Sequence, residues 1–144
     1  MRLNILSLLT VAATVTHTSA DTSPYFHDDA FDAGAYGAYP VQTYNSTDLI
    51  SPRPNILLSS PECEQNLYTM MTLRGSEVTD TGKGPTILDS AGRLVWSKGG
   101  YGEAYNLQVQ KYKGKEYLTF WGGDDTVGGH GAGYYYMVSF AILA

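Results

Sequence analysis

Hydrophobic and polar positions alternate most plainly in the second half of the chain. Leu67, Thr69, Met71 and Leu73 fall on one side of an extended strand, and Tyr68, Met70 and Thr72 on the other. A polar connection, Gly75 to Lys83, follows. Pro85–Leu88 is a short apolar run, Asp89-Ser90-Ala91-Gly92 has turn chemistry, and Arg93-Leu94-Val95-Trp96 is a second strand-like run. Asp bonds its own backbone two residues on and Gly takes the left-handed closing position, so the pattern predicts a β-hairpin. Period two places Leu94 and Trp96 on one face, with Trp96 as a core anchor.

A second hairpin is predicted over Ala104–Trp121. Tyr105, Leu107 and Val109 alternate with Asn106, Gln108 and Gln110, and Lys113-Gly114-Lys115 forms the turn. The returning strand, Tyr117–Trp121, is apolar on both faces, as suits an inner strand covered on both sides. Gly122–Gly133 then reads as a glycine loop that carries Asp124, Asp125, Thr126 and His130. Tyr134–Phe140 makes a sixth strand. Six short strands at regular turn spacing, with no convincing helix, predict an all-β protein of antiparallel hairpins.

The first half has a different character. Met1–Ala20 has a basic Arg2, an apolar Ile5–Val15 core and a small-residue end at Thr18-Ser19-Ala20. It reads as a signal peptide, too short to span a bilayer. The expected location is therefore extracellular, with no membrane segment after cleavage. Residues 21–64 form a second unit, an acidic, tyrosine-rich arm with no sustained period, expected to be extended or irregular. Residues 65–144 form the third, which holds the hairpins. The aromatic residues of the arm suit it to lie along a folded surface. Asn45-Ser46-Thr47 is an N-glycosylation sequon. Asp28, Asp29 and Asp32 do not fit a calcium loop and read more simply as a solvated acidic patch.

The 144 residues, 43% of them hydrophobic, suffice for one small globular domain. The net charge of −5 argues against a nucleic-acid partner, because phosphate binding needs a basic stripe. Lys111, Lys113 and Lys115 flank a turn and serve a solvated edge. Cys63 is the single cysteine. In a secreted chain its partner would lie in a segment beyond this one or on another chain, unless it is a buried free thiol. No His, Cys and carboxylate set has metal-ligand spacing, and nothing asks for a cofactor. The serine elbow of an esterase and the phosphate-binding loop are both lacking.

Three segments in order, GPTILDSAGRLVW, LQVQKYKGKEYLTFWGG and GHGAGYYY, resemble the N-terminal part of the fungal arylsulfotransferase-like (ASST) family. Gly84, Pro85, Ile87, Asp89, Gly92, Leu94, Val95, Trp96, Leu118, Thr119, Trp121, Gly123 and His130 match its pattern, and Ser51-Pro52-Arg53-Pro54 is similar to an upstream element. The resemblance implies a secreted β-propeller, of which the six strands would make about one and a half blades. It also implies sulfuryl transfer between phenolic compounds through a histidine, with aryl sulfates and phenols as small-molecule partners. Trp121, Asp124 and His130 are then the expected pocket residues. His130, set among glycines whose N–H groups can cradle an anion, is the one candidate for a catalytic role. Asp124 or Asp125 would orient it. Against this stands the simpler reading that His130 bonds within the loop, and no residue here maps onto the family's sulfated histidine. After Tyr136 the family pattern continues with an acidic residue and more strands, whereas this sequence runs Met137–Ala144. The expectation is a truncated product without a complete active site. The competing expectation is a non-enzymatic secreted β-module that binds a ligand or protein.

Overall fold

A computed structural model describes residues 22–45, 47–60, 62, 67–129 and 131–139. The signal-peptide segment, Cys63 and His130 lie outside the described residues. What is described is mostly strand. Ten strands and one helical turn run in the order β1(Tyr25–Phe26), α1(Asp29–Asp32), β2(Val41–Thr43), β3(Ile50–Pro52), β4(Asn55–Ile56), β5(Tyr68–Leu73), β6(Gly84–Asp89), β7(Leu94–Ser97), β8(Glu103–Tyr112), β9(Lys115–Asp124) and β10(Ala132–Ser139).

The six strands read from the sequence are β5 to β10. They form two open antiparallel sheets, ordered β5-β6-β7 and β10-β9-β8. The central strand of each carries the core. In β6 every residue from Gly84 to Leu88 is buried, and the one polar side chain among them, Thr86, has its Oγ1 3.1 Å from Ser97 Oγ. In β9 Leu118 and Phe120 have no exposed surface. Strand β8 lies against β5 and β6, which brings the two sheets together.

The turns follow their residues. Asp89 Oδ1 accepts from the N–H of Ala91 at 2.9 Å and of Arg93 at 2.8 Å, and Gly92 closes the turn at φ 74°. Lys113 and Gly114 have φ 48° and 77°, so both central residues of the β8–β9 turn are left-handed, the geometry that matches strand twist.

Two bulges change the faces that strict alternation predicts. Between β8 and β9, Tyr105 pairs with Trp121 but Gln108 with Thr119, so β8 carries one extra residue, and Asn106 there takes φ 59°. Tyr105 thus shares a face with Trp121, while Val109, opposite Leu118, points the other way. The expected common face of Tyr105, Leu107 and Val109 is broken. In β7, Trp96 pairs with Ile87 and Leu94 with Leu88, with Val95 as the extra residue. Leu94 and Trp96 therefore take opposite faces instead of one, and Trp96 is half-buried rather than a core anchor.

The arm expected to be irregular is built. Strands β2 and β3 pair antiparallel, and β1 pairs with β4 in parallel. Asp28 caps the helical turn, its Oδ1 accepting from Ala30 N at 2.9 Å and Phe31 N at 3.1 Å. The Asp28 carboxylate, read from the sequence as part of a solvated patch, thus has a structural task. Arg53 stacks over the Tyr25 ring at 3.7 Å, and Tyr25 stacks on Tyr36 at 4.5 Å. The arm docks on the β6–β7 turn. Gln42 Nε2 donates to Gly92 O at 2.8 Å, and a Cβ on Gly92 would lie 2.7 Å from Pro54 Cγ. Among the described residues no helix is long and apolar enough to cross a membrane.

Candidate functional site

The expected glycine loop is shorter in the structure than in the sequence. Gly122, Gly123 and Asp124 pair with Tyr134, Gly133 and Ala132, so both flanks belong to the β9–β10 hairpin. Only Asp125–Gly131 connects them. The glycines in these flanks serve close packing. A Cβ on Gly133 would lie 2.5 Å from Trp121 Cζ2, and one on Gly131 would lie 3.1 Å from Trp121 Cη2. The Trp121 indole thus lies against bare backbone, on the face it shares with Tyr105 and Tyr135.

Those residues wall a cavity of about 480 Å³, lined by Tyr105, Asn106, Trp121, Asp125, Tyr135 and the backbone of Gly129 and Gly131. The Tyr105 and Trp121 rings meet edge to face at 5.4 Å. Tyr105 is held from both ends of its hydroxyl. Arg74 Nη1 donates to Tyr105 Oη at 3.0 Å, and the Tyr105 hydroxyl donates to Asp125 Oδ2. The hydrogen bond to Asp125 raises the Tyr105 pKa, because the phenolate could not make it, and desolvation adds to the rise.

Of the expected pocket residues, Trp121 lines this cavity and Asp124 does not. Asp124 borders a neighbouring cavity of about 430 Å³ with Lys83, Glu103 and Thr126. Its Oδ1 accepts from Thr126 Oγ1 at 2.6 Å and from Thr126 N at 2.9 Å, closing a local turn. The Thr126 hydroxyl, then its N–H, lowers the Asp124 pKa by favouring the carboxylate. In the same cavity Lys83 pairs with Glu103 at 3.0 Å and with Asp80 at 3.5 Å. His130 falls outside the described residues, while the glycines on either side of it, Gly129 and Gly131, line the aromatic cavity.

Sequence reading passed over Tyr105, Asn106 and Tyr135 as wall residues, and named Asp125 only as an alternative to Asp124 for orienting His130. The bulge at Asn106 is what turns Tyr105 toward Trp121, and a lone Asn within a strand pattern is the only trace of it. The reading also missed a cavity of about 530 Å³ between the arm and the β6–β7 hairpin, where Trp96 stands opposite Gln42 and Tyr44.

Chemically, three rings and a carboxylate make a slot for a flat aromatic molecule with a hydroxyl donor. None of the residues that line this slot is Lys or Arg, so the described wall offers no cation to a sulfuryl group. No family model, no curated protein and no solved structure matches the chain.

Proposed function

We propose that the chain is a secreted, arylsulfotransferase-like β-propeller segment whose aromatic cavity binds the phenolic acceptor of a sulfuryl transfer. One observation carries this reading: Tyr105, Trp121, Tyr135 and Asp125 converge on one cavity beside the glycine segment that bears the family resemblance. A phenol suits this wall better than its sulfate ester does. Its ring finds aromatic faces, its O–H finds a carboxylate, and no anion is asked to sit beside Asp125. The two open three-stranded sheets agree with a meander that has begun to form blades, each blade of which normally holds about four strands. Transfer itself would require groups that hold a tetrahedral anion, and the described wall does not supply them.

The test is saturation-transfer NMR of the secreted chain with 4-nitrophenol and with 4-nitrophenyl sulfate. The phenol is expected to bind and the sulfate to bind at least about tenfold more weakly, a difference of roughly 1.4 kcal/mol. Trp121→Ala and Asp125→Asn should each abolish phenol binding. Equal binding of both compounds, or binding untouched by these substitutions, removes the acceptor site.

The exposed edge strand favours a second reading, a non-enzymatic module that binds a protein partner. Tyr134, Tyr135 and Met137 of β10 are 75%, 76% and 51% exposed, a large apolar surface for an edge. Protein capture that survives Trp121→Ala but fails with Tyr134→Ser and Met137→Ser would choose this reading.

A further inference from the structure

The cavity between the arm and the β6–β7 hairpin is built with care. Trp96, half-buried on β7, forms one wall beside Ser97. Gln42, Tyr44 and Thr47 of the arm form the other. Gln42 is 1% exposed, and its Nε2 donates to Pro52 O and to Gly92 O, each at 2.8 Å. Both donor hydrogens are thus used, which fixes the amide on this wall. Tyr44 is fixed through its hydroxyl, 2.6 Å from Ser51 Oγ.

Asn45 lies between two of the wall residues in the chain and is exposed. Tyr44 and Thr47 both line the cavity, so the Asn45 Cα lies about 3.8 Å from that of a wall residue. It is also the acceptor of the sequon Asn45-Ser46-Thr47. A glycan on Asn45 is therefore tethered at the mouth of a cavity that offers an indole, hydroxyls and a fixed amide. This is the chemistry an N-acetylglucosamine ring asks for. Its C–H face and acetyl methyl pack on an aromatic ring, and its hydroxyls and acetamide need donors and acceptors. Tethering supplies an effective concentration on the order of millimolar, so weak stacking suffices.

We propose that the first N-acetylglucosamine of an Asn45-linked glycan seats against Trp96 and fastens the arm to the β6–β7 hairpin. This rests on the secretory part of the function proposed above, since only a chain that enters the secretory route receives such a glycan. The sugar would add to the fastenings the protein makes itself, among them the Gln42–Gly92 hydrogen bond and the packing of Gly92 against Pro54 and Pro24.

The full chain is secreted from a eukaryotic host and its intact mass taken. The glycan is then trimmed in two ways: an endoglycosidase leaves one N-acetylglucosamine, and an amidase leaves none. The one-sugar form should keep the melting temperature of the full glycoform. The sugar-free form should melt about 3–5 °C lower, with cleavage of the arm by chymotrypsin after the exposed Tyr36 at least about tenfold faster. Trp96→Phe, which keeps a ring, should lose part of this difference, and Trp96→Ala all of it. Failure of the host to export the chain overturns the proposal together with its secretory premise, and an exported chain with no glycan on Asn45 overturns the proposal alone. A glycosylated chain whose one-sugar and sugar-free forms melt and digest alike overturns the seat alone and leaves the secretory reading standing.

Discussion

Asp124 shows how little a residue type in a suggestive loop says about its task. Its carboxylate is spent on the Thr126 hydroxyl and N–H, and both bonds favour the charged form. The Asp124 pKa should therefore lie below that of an unstructured Asp, and Thr126→Val should raise it by removing the larger contribution. Side-chain NMR titration reads this directly. The sign for stability follows: a lowered folded pKa gives stability present above the unfolded pKa and lost as pH falls through the folded one. Tyr39 is the opposite case. Burial pushes its pKa up to about 12, and its buried hydroxyl has no hydrogen-bond partner among the described residues. Its contribution is present below the unfolded pKa near 10 and lost as pH rises toward 12. Tyr39→Phe should stabilise the protein by about 1 kcal/mol in urea unfolding and flatten the alkaline decline of stability. The composition of the turns was legible because Asp89, Gly92, Lys113 and Gly114 act on their own backbone. The tasks of Asp124 and Tyr39 were not, since each depends on what folds beside it.

At the scale of elements, β5, β6, β8, β9 and their turns stand close to where the alternation of side chains places them. The β8–β9 turn invites a direct test. Lys113 holds φ 48°, which Asn adopts more easily. Lys113→Asn should stabilise the hairpin by roughly 0.5 kcal/mol, seen as a higher denaturation midpoint at unchanged m-value. The glycine segment gives the converse. A side chain on Gly133 would collide with Gly122 O and with the Trp121 indole. Gly133→Ala should cost about 1–3 kcal/mol and disturb Trp121 fluorescence, whereas a purely flexible loop would accept alanine without loss. What alternation could not deliver was the pair of bulges. Each inserts one residue, and one residue suffices to send Tyr105 and Trp96 to faces that period two denies them.

For the molecule as a whole, the decisive contact is between the arm and the hairpin body. Gln42, almost fully buried, ties β2 to a turn fifty residues later in the chain through Gly92 O. Gln42→Ala leaves that carbonyl and Pro52 O without their donor and should cost roughly 2–3 kcal/mol. It should also make the arm exchange amide hydrogens faster than the β9 core does. Uniform loss of protection across arm and core would mean that the two unfold as one unit and that the contact is not a separable dock. The apolar core itself sits where hydrophobic runs placed it, in Ile87, Leu88, Leu118 and Phe120, and there the sequence pattern was a sound guide.

The sequence by itself determined the succession of β5 to β10, the turns at Asp89–Gly92 and Lys113–Gly114 and the two central strands, because those rest on side-chain period and on residues that bend their own backbone. Only the tertiary structure decided that the acidic arm is built from paired strands, that Trp96 borders a cavity instead of filling the core, and that Tyr105 faces Trp121. These outcomes depend on single-residue bulges and on hydrogen bonds between distant segments. Such contacts gain their energy from desolvation and close packing after the chain has come together, and no local window of residues carries that information.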